Sequence, residues 1–128
     1  MDEDKIVGQA VLIVDENADT RATVKQFLEL EGYRVVEAAS GEEAVEVSLG
    51  ERPRLVLLNL STSYIEGLTT ARRLREEPQL SEMKIVIISA LDVSEVQEVI
   101  GEGYGYLPKP VDFTHLKALI SITFEDEA

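Results

Sequence analysis

Residues 9–17 read QAVLIVDEN, an apolar run that stops abruptly on two acids and an amide. Gln9–Val14, with Ala10–Val14 unbroken by any polar side chain, reads as a strand buried on both faces. Such a strand belongs in a parallel sheet with helices packed on each surface. The pattern returns along the chain. Tyr33–Ala38 is rich in Val and Tyr, Leu55–Leu60 follows the helix-breaking Pro53, and Lys84–Ser89 contains Ile-Val-Ile-Ile, the strongest strand signal. Gly105–Leu107 is a brief last strand, closed off by Pro108-Lys109-Pro110.

Helix-period segments separate these runs. Asp19 or Thr20 starts a helix whose apolar face includes Val24, Phe27 and Leu28, and Gly32 is its natural stop. Ser40 and Glu43 form a capping box ahead of a face made by Ala44, Val45, Ser48 and Leu49. Leu68, Ala71, Leu74 and the apolar stem of Arg75 make a stripe ending near Pro78. Asp92 with Glu95 is a second capping box, followed by Val93, Val96 and Ile100. Asp112 caps a last helix bearing Leu116, Leu119 and Ile120. Five βα units in succession predict an α/β, flavodoxin-like, doubly wound five-stranded parallel sheet of order 2-1-3-4-5 with five helices. Residues 1–8 read as a polar extension, 9–122 as the domain and 123–128 as an acidic tail or the start of a linker.

Composition narrows the function classes. The chain has 128 residues, 45% of them hydrophobic and 29% charged, as suits one globular domain. No apolar run approaches a membrane span, and the opening MDEDK is acidic, unlike a secretory signal. Without cysteine there is no disulfide, thiolate metal site or cysteine nucleophile. A cytoplasmic location is the simple expectation. The net charge of −13 opposes nucleic-acid binding, which needs clustered Lys and Arg. Arg72, Arg73 and Arg75 are the nearest approach to a basic patch, and they read as a solvated helix face.

In a doubly wound sheet, ligands bind beyond the carboxyl ends of the strands. The residues there are Asp15 and Glu16 after strand one, Asn59 after strand three, Ser89 after strand four and Lys109 after strand five. Each alone is an ordinary turn or cap residue. Together they place two acids, an amide, a hydroxyl and a lysine on one pocket.

The segments VLIVDEN (11–17), LVLLNL (55–60), EGL (66–68), IVIISA (85–90) and GYLPKP (105–110) resemble, in order, the motifs of response-regulator receiver domains. The match covers residues 9 to 122. The resemblance implies that Asp15 and Glu16 hold Mg²⁺, that Asn59 stands where an aspartate accepts the phosphoryl group, and that Ser89 and Lys109 contact the phosphate. It implies that Tyr106 reports the state by rotating inward, and that the Lys109–Pro110 bond is often cis.

Asn59 departs from that pattern. Phosphoryl transfer needs a carboxylate oxygen as nucleophile, and a neutral amide is a poor substitute. It also removes one of three negative charges from the metal site, so Asp15 and Glu16 are expected to hold Mg²⁺ only weakly and no cofactor is expected. Lys109 could then serve simply to pair with Asp15. The proline four residues past the acceptor is replaced by Ser63, while Glu66-Gly67 keeps the acidic-Gly turn. The path from Ser89 to Lys109 is about two residues shorter than the family usually has.

The reading that follows is a non-enzymatic pseudo-receiver of two-component signalling. It regulates through protein–protein contacts of its last two helices and fifth strand, without being phosphorylated. Its expected partners are a histidine kinase or an attached or separate output domain, with neither nucleic acid nor membrane. One alternative is a phosphorylation-switched receiver that uses a substitute acceptor such as Ser61, Thr62 or Ser63, or that carries an engineered Asp-to-Asn change. Another is a small enzyme or nucleotide-binding protein of the same fold, which lacks support because no Gly-rich phosphate loop follows a strand. His115, the only histidine, is expected on the surface of the last helix, without a catalytic role.

Overall fold

A computed structural model describes residues 10–59, 64–90 and 104–125, together with Ser94 and Gln97. The strands are β1 (Ala10–Val14), β2 (Arg34–Ala38), β3 (Leu55–Asn59), β4 (Lys84–Ser89) and β5 (Gly105–Pro108). They form one parallel sheet in the order β2-β1-β3-β4-β5, as the succession of βα units requires. The helices among the described residues are α1 (Ala18–Leu30), α2 (Gly41–Glu51), α3 (Tyr64–Glu76) and α4 (Phe113–Glu125), with a 3-10 turn at Pro78–Leu80. Ser94 and Gln97 are also helical, in the segment where the sequence predicts a fifth helix. The Asp92–Glu95 capping box and the face of Val93, Val96 and Ile100 lie outside the described residues, as do residues 1–8, Leu60 and the Ser61–Ser63 loop.

Alternate residues of each central strand point to opposite faces, and both faces are covered. Leu12, Val14, Val56, Leu58, Ile85 and Ile87 pack with Ala44 and Val45 of α2 and with Leu68, Ala71 and Leu74 of α3. Val11, Ile13, Leu55, Leu57, Val86 and Ile88 pack with Val24 and Leu28 of α1 and with Leu116 and Ile120 of α4. Each of these larger side chains contributes roughly 1.5–3 kcal/mol by leaving water. That two-sided burial is why the strands read as continuous apolar runs.

Helix ends explain several boundaries. α1 is capped by Asn17, whose side chain accepts from Thr20 N at 2.9 Å, so the helix starts before the predicted Asp19 or Thr20. Its other end closes as a Schellman turn: Gly32 takes φ +95°, and the amides of Gly32 and Tyr33 donate to the carbonyls of Glu29 and Leu28. The Ser40 capping box forms, with Glu43 N donating to Ser40 Oγ at 3.1 Å and Glu43 Oε1 accepting from Ala39 N. Asp112 caps α4 by accepting from Thr114 N and His115 N. Those two amide bonds hold its carboxyl below the usual carboxylate range.

Two expected packing positions differ. Leu49 is 37% exposed because α2 turns it past the edge of the buried stripe. α4 runs on to Glu125 and carries Phe124 into the core against Tyr33, with ring centroids 5.2 Å apart, past residue 122 where the domain was expected to end. The last described turn of the helix, residues 122–125, carries Phe124 and runs into what reads as an acidic end.

α2 and α3 come closest at Gly41. A Cβ there would collide with the hydroxyl of Thr70, itself buried. Gly41→Ala is therefore expected to destabilise the protein by about 1–3 kcal/mol. Adding Thr70→Ala should recover part of that loss. Urea unfolding of the single and double variants measures both, and a neutral Gly41→Ala would contradict the close approach.

Candidate functional site

The core covers the strands but not their carboxyl ends, where β1 and β3 stop side by side in register, with Val14 opposite Leu58. The next residues along are Asp15 and Asn59. Asp15 is 4% exposed, so its carboxylate oxygens need hydrogen-bond donors within the protein. Two amides provide them. Asn17 N donates to Oδ1 at 2.9 Å, and Asn59 Nδ2 donates to Oδ2 at 2.7 Å. The second bond fixes the orientation of the Asn59 amide, because only its NH₂ can donate to a carboxylate. Asn59 Oδ1 is left buried, without a hydrogen-bond partner among the described residues.

The backbone of Asp15 is anchored as firmly as its side chain. Its N–H donates to Ala38 O at 3.1 Å, continuing the β1–β2 ladder. Its carbonyl accepts from Arg21 Nη1 at 2.6 Å. Arg21 Nε in turn donates to Glu37 Oε1 at 3.0 Å, and Lys25 Nζ donates to Glu37 Oε2 at 3.2 Å. Arg21 thus ties the end of β1 to β2 and to its own helix. Nothing in the spacing of the sequence singled out Arg21, Lys25 or Glu37. The one available signal was Glu37, a charge between Val36 and Ala38 in a strand that Arg34 opens.

The remaining candidates converge from the other side. Ser89 is 1% exposed at the end of β4. Its carbonyl accepts from Lys109 N at 3.0 Å and from the Tyr106 hydroxyl at 3.3 Å. The part-buried Tyr106 ring packs against the cluster under α2 and α3. The Lys109–Pro110 peptide is cis. Asp15, Asn59 and Lys109 line one groove of about 600 Å³, together with Asn17, Val24, Val111 and Phe113. On the opposite side, Asp15, Glu16 and Asn59 line a cavity of about 100 Å³ beneath Ser40, Gly41 and Thr70.

The structure therefore brings Asp15, Glu16 and Asn59 together at one cavity, and Asp15, Asn59 and Lys109 together in the groove beside it. Ser89 and Tyr106 are bonded to each other one strand away. Glu66 and Gly67 fall in the first turn of α3 rather than in a separate turn. His115 is exposed on α4, away from the strand ends. Among the described residues no three His, Cys, Asp or Glu side chains cluster as a metal site. No described helix is long and apolar enough to cross a membrane.

Burial alone would raise the pKa of Glu37. Its hydrogen bonds to Lys25 and Arg21, with their positive charges, outweigh that and hold its carboxyl below its ordinary value of 4.5. Its contribution to stability is thus present above about pH 4.5 and lost as the pH falls through its folded value. The Glu37 side chain is 34% exposed, so the effect should stay under about 1 kcal/mol. Glu37→Gln is expected to be less stable than the parent near pH 6 and equal to it near pH 3, to within roughly the precision of urea unfolding.

A second expectation concerns Asn59→Asp. It exchanges the donor facing Asp15 Oδ2 for a second carboxylate, removing a hydrogen bond to a charged group worth about 1.5–3 kcal/mol. The variant should lose at least that much stability in chelator at neutral pH and regain most of it in Mg²⁺. Thermal unfolding with and without the ion checks this.

Comparison with known proteins agrees with the geometry. The sequence matches the model of the Response regulator receiver domain over residues 11–121. It is 30% identical to Protein PilH of Pseudomonas aeruginosa over 105 residues, covering 80% of this chain and 86% of that protein. It is 34% identical over 116 residues to the probable transcriptional regulator ycf27 of Porphyridium aerugineum, covering 88% of this chain but 46% of that protein. The chain thus spans most of one relative and about half of the other. Among solved structures, a response regulator receiver protein from Pseudomonas putida superposes with a TM-score of 0.77 at 30% identity, covering 89% of this chain and 96% of that one.

Proposed function

We propose that this chain, which belongs to the response regulator receiver domain family, is a receiver module that is silent toward phosphoryl transfer and acts by binding protein partners. The observation that carries this reading is the 2.7 Å bond from Asn59 Nδ2 to Asp15 Oδ2. A carboxylate in place of Asn59 would leave like charges face to face, a pocket in want of a cation and ready for a phosphoryl group. The amide supplies instead the hydrogen that Asp15 needs. The Asp15 carboxylate is satisfied from within, and the acceptor position offers the groove an amide in place of a nucleophilic carboxylate.

Mg²⁺ fits this donor set poorly. Asp15 already accepts from two amides, and Asn59 brings an uncharged oxygen where a hard, reluctantly dehydrating cation favours a carboxylate. Asp15 and Glu16 would attract the ion weakly, with Glu16 beside the cavity. Lys109 at the groove and Ser89 at the end of β4 keep the positions of a phosphate pocket without its acceptor. Tyr106, tethered to the Ser89 carbonyl, holds a single arrangement of the β4–β5 edge, which a partner can recognise or shift. The absence of a described span long and apolar enough for a membrane is compatible with a cytoplasmic partner. A histidine kinase or an output domain, attached or separate, is the partner class that the family suggests.

Freshly purified protein treated with acetyl phosphate and Mg²⁺ is expected to gain no phosphoryl group. Intact-mass spectrometry reads the result, and an adduct of about 80 Da on the parent chain would overturn the silent reading. Saturation of the Asp15 and Glu16 chemical shifts at sub-millimolar Mg²⁺ would overturn the weak-metal part of it.

A further inference from the structure

We infer that Asn59 is a site of self-catalysed side-chain hydrolysis, with Asp15 as its acid–base partner, so that the silent receiver converts slowly into one bearing an aspartate. This deepens the reading of Asn59 as the silencing residue and adds a route by which the chain itself lifts the block. Four observations carry it. Asn59 Nδ2, the nitrogen that must leave, lies 2.7 Å from a carboxylate oxygen of Asp15. Asp15 is 4% exposed and held by Asn17 N on its other oxygen, so its approach to the amide is fixed rather than sampled. The amide is also reached from two sides, by a cavity of about 100 Å³ and by a groove of about 600 Å³, each lined by both residues. Asn59 Oδ1, a buried acceptor unpartnered among the described residues, draws a donor, and water is the donor small enough to enter beside it.

The step balances with water as the sole co-reactant. A water oxygen adds to Cγ of Asn59 while Asp15 takes a proton from that water. The tetrahedral carbon then collapses, the Cγ–Nδ2 bond breaks, and Asp15 returns the proton to the departing nitrogen. Ammonia leaves, Asn59 becomes an aspartate, and Asp15 is regenerated with no change in oxidation state. The commoner route, attack on Cγ by the next backbone nitrogen, needs the backbone turned out of the extended form. Asn59 is held extended within β3, paired with Ile88 of β4, and is followed by Leu60 rather than a glycine. Hydrolysis should therefore give ordinary aspartate with no iso-linked product.

The test is incubation of the purified chain at neutral pH in ¹⁸O-water, followed by intact mass and peptide mapping. Asn17, an exposed asparagine in the same molecule, serves as the internal reference. Asn59 is expected to convert faster than Asn17, to carry one ¹⁸O, and to yield no isoaspartate. Asp15→Asn should slow conversion at position 59 on the order of 10²-fold, the usual contribution of a positioned acid–base group. Because Asn17 N donates to Asp15 Oδ1, Asn17 is the reference in the parent chain alone. Circular dichroism establishes that this isosteric variant is folded, and the parent chain alone can overturn the idea if the variant is not. Conversion no faster than at Asn17, isoaspartate at position 59, or an unaltered rate in folded Asp15→Asn each overturns it. The readout is mass and linkage rather than phosphorylation. Acetyl phosphate labelling of fresh chain, with Asn59 still intact, would instead sink the silent-receiver reading and leave the hydrolysis result standing.

Discussion

A parallel sheet covered on both faces leaves its central strands no surface at which to do chemistry. Every side chain of β1, β3 and β4 between the strand ends goes into one of two apolar clusters. Polar function is displaced to the carboxyl edge, where parallel strands all stop together and the helices have not yet begun. The consequence is a site whose members are far apart in sequence but fixed relative to one another by the ladder itself. Asp15 and Asn59 can meet at 2.7 Å because β1 and β3 are in register up to the residues before them. The precision belongs to the sheet, and the side chains inherit it.

That edge is stabilised unevenly, and the difference bears on function. On the β1 side, Asp15 is held at N–H, carbonyl and both carboxylate oxygens, and Arg21 extends the network to Glu37. On the β4–β5 side, one carbonyl, that of Ser89, collects the Lys109 amide and a longer bond from the Tyr106 hydroxyl. A neutral hydroxyl bond at 3.3 Å contributes less than a charge-assisted amide bond at 2.7 Å.

Much of this was legible in the sequence because burial on both faces writes a simple code. Continuous apolar runs gave the strands, their alternation with helical stripes gave the sheet order, and the residues after each run gave the site positions. The start of α1 was placed too late, at Asp19 or Thr20, because both are capable caps, and only the backbone turn at Asn17 shows which residue takes that role. Phe124 looked like part of a polar tail because its partner, Tyr33, is ninety-one residues earlier, beyond any local pattern. The Arg21–Glu37 tie and the contact of Gly41 with Thr70 are likewise matters of tertiary approach. Local sequence reports which face a residue prefers; it does not report which distant residue meets it there.

The identity of Asn59 was plain from the sequence, but its consequence was not. Read as a letter, asparagine is an aspartate lacking a charge, and the inference is a loss: no nucleophile and a weaker cation site. In the structure the same amide is also a donor, aimed at the one buried carboxylate that needs one. That changes the energetics of the pocket. A carboxylate in this place would concentrate negative charge that an ion could relieve, whereas here a side-chain amide donates to Asp15 directly. The same bond fixes the amide's nitrogen against a potential acid–base catalyst. On the reading proposed above, what keeps the site quiet and what would let it change are one contact, the bond from Asn59 Nδ2 to Asp15 Oδ2.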